Sequence, residues 1–110
     1  MKSLALALVL VGCHRHDGAP TGAAHVTPEY RADIENLCDS LQRSGADKIS
    51  DDTRTVAMAM WLGKNVQTEE GHKFLVSIQS LVGEDHARAL DDEAHRVGLA
   101  SCALSAEWRK

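Results

Sequence analysis

The sequence predicts an all-α protein: a small four-helix bundle-like domain over residues 28–110, stapled by one disulfide. Three observations predict it. Apolar residues recur at helical spacing in four stretches, each opened by a capping residue or carboxylates. A length of 110 residues allows one domain, and 44% hydrophobic with 25% charged residues is ordinary globular composition. Two cysteines, Cys38 and Cys102, sit near the two ends of the helical region.

The first helix starts at Thr27-Pro28, with Thr as N-cap and Pro at the first helical position. Tyr30, Ile34, Leu37, Cys38 and Leu41 then share one face, and Gly45 is a stop signal. Ser50-Asp51-Asp52 starts the second helix, its carboxylates at the positive end of the dipole. Val56-Ala57-Met58-Ala59-Met60-Trp61-Leu62 has no polar face, so this helix is predicted to be the central, buried one. A strand is the alternative, which Ala and Met disfavour. Thr68-Glu69-Glu70 opens the third helix, with Phe74, Leu75, Ile78, Leu81 and Val82 as its stripe and Gly83 as its end. The fourth spans about Asp85 to Val97, and its thin stripe of Ala87, Leu90, Ala94 and Val97 suits the outside of the bundle. Gly98 followed by Leu99 fits a C-cap with a hydrophobic contact. The tail from Ala100 to Trp108 is short, partly apolar and expected to pack.

The N-terminus reads differently. After Met1-Lys2-Ser3 come eight apolar residues, Leu4 to Val11, then Gly12-Cys13. The run is far shorter than the roughly 20 residues of a spanning helix and fits the apolar region of a secretory signal. His14, Arg15, His16 and Asp17 stop it abruptly. Leu10-Val11-Gly12-Cys13 resembles the lipobox of bacterial lipoproteins: Leu, a small or aliphatic residue, Gly or Ala, then Cys. The resemblance covers residues 1–13 and implies three events. The Cys13 thiol takes a diacylglycerol group, residues 1–12 are removed, and the new amino group is often acylated. It also implies that Cys13 anchors the chain in the bacterial cell envelope through acyl chains. His14, rather than Asp, after the Cys points to the outer membrane, facing periplasm or cell surface. Residues 13–27 are then a lipidated Cys and a flexible tether of Gly, Ala, Pro and Thr composition.

With Cys13 lipidated, Cys38 and Cys102 remain as an even pair in an oxidising compartment. They lie 64 positions apart (102 − 38), and closing that loop is worth about 4 kcal/mol. Two buried reduced thiols are the alternative. The absence of a Cys-x-x-Cys motif argues against a redox pair.

Chemistry is harder to find. The chain has no nucleophile elbow, no His-Glu-x-x-His and no phosphate-cradling glycine loop, so no catalytic residue is assigned. The formal charge of −4 argues against a nucleic-acid partner. The best cluster is Asp91-Asp92-Glu93-Ala94-His95, where Asp91 and His95 share a helix face. With His72, or with His14 and His16 of the tether, they could supply metal ligands. The plainer reading is a solvated face and polar tether residues. Met58 and Met60 point to different sides of a helix and read as core filler. The expected function is therefore a lipid-anchored envelope protein acting as a non-catalytic interaction module, without a cofactor and with an envelope protein as partner. The alternative is a periplasmic metal-binding protein.

Overall fold

The computed structural model describes residues 26–110. The lipobox, Cys13, His14 and His16 lie outside the described residues.

Helix α1 (Pro28–Cys38) opens as its sequence dictates. Thr27 is extended and accepts a hydrogen bond from the Tyr30 N–H at 3.0 Å, and Pro28 follows it. The helix does not run unbroken toward Gly45. It breaks at Asp39 and resumes as α2 (Ser40–Arg43). The buried Ser40 hydroxyl donates to the Leu37 carbonyl at 2.7 Å, the local competition by which a short polar side chain bends a helix. Gly45 then takes φ +80°, the left-handed conformation expected of a glycine stop.

A 3-10 turn (Ala46–Lys48) leads to α3 (Asp51–Asn65). Ser50 stands at its N-cap, but its hydroxyl donates to the Asp52 carboxylate at 2.6 Å instead of capping the backbone. Helix α4 (Glu69–Ile78) is capped by Thr68, whose hydroxyl accepts from the Gly71 N–H at 2.9 Å. It ends at Ile78, so Leu81 and Val82 are not on it. Gly83 opens α5 (Gly83–Arg96) rather than closing α4. Glu84 and Asp85 explain the shift, since carboxylates favour a helix beginning at that point.

The C-terminus of α5 is a Schellman motif: the Leu99 N–H reaches the Ala94 carbonyl at 2.8 Å and the Gly98 N–H reaches His95 at 3.0 Å. Arg31 covers the same end, donating to the Val97 and Gly98 carbonyls at 3.0 and 3.2 Å. Helix α6 (Ala103–Trp108) completes the chain. Among the described residues there is no strand.

The layout corrects the sequence reading of two helices. Helix α3 is not central: it buries only Leu62, and Val56 and Met60 are 60% and 63% exposed. The central helix is α1, which packs on α3, α4, α5 and α6. Helix α5 is not peripheral either. Ala87, Leu90 and Ala94 are almost wholly buried, and it packs on α1 and α6. Alanine at two of three stripe positions lets the backbones come close, so a thin stripe gives tight burial.

The predicted disulfide is present: Cys38 at the end of α1 is bonded to Cys102 just before α6, with Cα atoms 4.7 Å apart. Two polar groups complete the interior. Asp33 on α1 is 2% exposed and accepts from the Gln67 and Thr68 N–H groups, each at 2.8 Å. It thereby fixes the turn between α3 and α4 from below. Tyr30 donates its hydroxyl to Glu93, which also takes a two-pronged contact from Arg96 at 3.0 and 2.7 Å. Burial above all, then the Glu93 hydrogen bond, pushes the Tyr30 phenol above its usual range.

Candidate functional site: an apolar groove

The fold carries an open apolar groove of about 560 Å³. Leu37 and Leu41 form its floor, and both are buried. One wall is α3, through Met58, Ala59, Leu62 and Gly63. The end of α4 supplies Leu75 and Ile78. The opposite wall is built from His86 of α5 with Leu104 and Trp108 of α6. These residues come from six helices, so the groove exists only once the bundle has folded.

His86 is the unusual member of this lining. It is 6% exposed, its Nδ1 has no hydrogen-bond partner, and its ring stacks on Trp108 with centroids 3.8 Å apart. Burial pulls its pKa below the ordinary histidine value, so the ring is neutral at pH 7. The two charged groups at the rim are already engaged. Arg54 donates to the Ala46 and Ile49 carbonyls at 3.0 and 3.1 Å and pairs with Asp51 at 2.8 Å. Glu107 pairs with Lys110 at 2.7 Å. The groove therefore offers an uncharged wall to an uncharged surface.

The residues singled out from the sequence are arranged differently. Asp91 is committed elsewhere: Ser105 donates to one oxygen at 2.6 Å and Arg109 to the other at 2.8 Å. The Ser105 hydrogen bond is the first reason its carboxyl is held below the usual range. Arg109 also grips Glu84 with two contacts at 2.9 and 3.0 Å, so the cluster clamps α5 to α6. His95 is exposed, and His72 turns its Nδ1 back to the Thr68 carbonyl of its own helix at 3.0 Å. Among the described residues, no group of three or more His, Cys, Asp or Glu is placed to hold a metal. His95, Asp91 and His72 are thus not gathered into one site.

No family model, no curated protein and no solved structure matches this chain.

Sequence reasoning missed the groove. It assigned His86 no role. Trp108 was expected only to pack, yet it is 40% exposed and forms half of the stacked wall. The available signal was the unbroken apolar stretch of α3. Such a stretch supplies more apolar surface than one small core can use.

Proposed function

We propose that this chain is a lipid-anchored, non-catalytic interaction module of the bacterial cell envelope. It is held at the membrane by acyl chains on Cys13 and acts by apolar contact through the α3 side of the domain. The observation that supports this reading is the groove with its neutral lining and paired rim charges, continuous with the exposed apolar side of α3. Exposed apolar area of that kind in a small protein marks a place of contact. One acyl chain gives only marginal membrane binding, whereas two or three on one residue make attachment lasting, so the membrane is a location rather than a substrate. The test is intact-mass spectrometry of protein purified from bacterial membranes, before and after reduction. The expected mass lacks residues 1–12, carries acyl groups on Cys13, and gains two hydrogens on reduction. An unacylated chain retaining residues 1–12 overturns the anchor.

A further inference from the structure

We propose that the exposed face of α3 pairs with the same face of a second copy of this chain, antiparallel, to form a two-fold dimer. This deepens the contact role above and rests on it. The face is centred on Val56 and Met60, both more than half exposed and turned away from Leu62, the residue that α3 gives to the core. A helix stretch that is apolar on every side is stable either inside a core or between partners. Within one copy, the side of α3 that carries Met58, Trp61 and Leu62 packs on the core, and the side that carries Val56 and Met60 stays open.

The face is shaped for another backbone. A side chain at Gly63 would meet nothing within 4 Å, so packing inside one copy gives no account of a glycine there. With Ala59 one turn before it, Gly63 leaves the C-terminal half of the helix flat beside Val56 and Met60. A partner helix can approach closely over such a surface.

The charges choose the partner and the direction. Asp51 and Asp52 stand in the first turn of α3 and Lys64 in its last. Arg54 pairs with Asp51, while Asp52 and Lys64 have no ion-pair partner among the described residues. In an antiparallel pair, Lys64 of each copy lies over the acidic first turn of the other, and the helix dipoles oppose. A parallel pair would set acid against acid. The pattern is self-complementary, as an isologous two-fold contact requires.

Area sets the strength. Helix α3 has 15 residues and is about 22 Å long. A strip of that length one side chain wide falls well short of the roughly 800 Å² per partner of a stable complex. The dimer is therefore weak in dilute solution and forms when anchoring in one membrane raises the effective concentration.

The test uses two full-length variants, Val56→Cys and Met60→Cys, purified from bacterial membranes. They are reconstituted singly or together in phosphatidylethanolamine–phosphatidylglycerol vesicles and oxidised with copper phenanthroline. Antiparallel pairing sets position 56 of one copy against position 60 of the other. The mixture should then give several-fold more cross-linked dimer than either variant alone. Adding Lys64→Glu to both should lower the yield, and adding Asp52→Lys beside it should restore it. No dimer from the mixture, with both thiols reactive to a maleimide, overturns the proposal. Equal yields from mixed and single samples overturn it too, as does cross-linking in native membranes only to a different protein. Intact mass on the same samples keeps the two readings apart. Dimer without acylation removes the anchor and keeps the pairing, and acylation without dimer does the reverse.

Discussion

Helices α3 and α5 are nearly equal in length, 15 and 14 residues, and their sequences suggest opposite fates. Helix α3 carries the longest apolar run of the domain and lies at its edge. Helix α5, rich in Asp, Glu and Arg, packs on α1 and α6 with Ala87 and Ala94 fully buried. The difference teaches that burial follows the shape of one stripe rather than the amount of apolar surface. Ala87, Leu90 and Ala94 form a single narrow line, so the buried apolar groups of α5 face the same neighbours while most of its charges point out. Val56, Met58, Met60 and Leu62 are spread around α3, and one small core can cover only one side of it.

The disulfide belongs to the tight region, because it joins α1 to the start of α6, the two neighbours of α5. Replacing both Cys38 and Cys102 with Ala should give the largest loss, about 4 kcal/mol for a loop of 64 positions. Urea unfolding of the oxidised parent and the double variant measures it. A loss below about 1 kcal/mol would mean that packing around α5 holds the ends without the staple.

Matched truncations test the comparison directly. Leu90→Ala should cost roughly 3 kcal/mol, as expected for a leucine 1% exposed. Met60→Ala, on the exposed side of α3, should stay within about 0.5 kcal/mol in dilute solution, where the chain is monomeric. Equal losses would show that α3 is covered in the monomer and would dissolve the contrast. Amide hydrogen exchange reads the same difference without mutation: the α5 amides should be protected close to global stability, and the α3 amides should open earlier.

Two helical glycines give effects of opposite sign. A side chain at Gly71 would sit 2.5 Å from Asp33 Oδ2 and 2.7 Å from Val66 Cγ1. Asp33 is pinned by its hydrogen bonds and cannot give way, so Gly71→Ala should cost about 2 kcal/mol. Gly63 meets nothing, so Gly63→Ala should gain up to about 1 kcal/mol of monomer stability from helix propensity alone. Thermal unfolding of the two variants side by side checks both signs.

How much of this was legible follows from where each signal resides. Caps and stops are local chemistry, and Thr27, Thr68, Gly45 and Gly98 act as their types predict. The pairing of Cys38 with Cys102 was legible by counting, once Cys13 was set aside. The arrangement of helices was not, because periodicity reports how apolar a face is and not which neighbour can reach it. The break at Asp39 was hidden because Ser40 is an ordinary residue until its hydroxyl finds the Leu37 carbonyl. Asp91 looked like a ligand beside His95 because the contacts that occupy it, Ser105 and Arg109, arrive from a different helix. Asp33 gave no signal for the same reason: its partners lie more than 30 positions away. The groove combines six helices, and no window of sequence contains it.

The smallest expected effect lies where the two regions meet. His86 belongs to α5, yet its ring and Trp108 form the wall of the groove facing α3. Burial lowers its pKa in the folded protein, so on acidification the unfolded chain takes up the proton first. Its contribution is fully present above the unfolded value of about 6.5 and is lost as pH falls from there toward the folded value. The slope cannot exceed about 1.4 kcal/mol per pH unit for one proton. The carboxylates Asp91 and Glu93, held low chiefly by Ser105 and Arg96, lose their contributions only below the ordinary carboxylate range near 4. The two losses therefore begin at different pH, near 6.5 for the imidazole and near 4 for the carboxylates. His86→Leu should flatten the fall in stability that sets in as pH drops below about 6.5, while leaving the loss that sets in near 4 unchanged. At pH 7 the variant should be close to neutral in stability, because it removes a buried Nδ1 that has no partner. If the slope persists in the variant, the titration belongs to another group, and His86 is better solvated in solution than its burial against Trp108 implies.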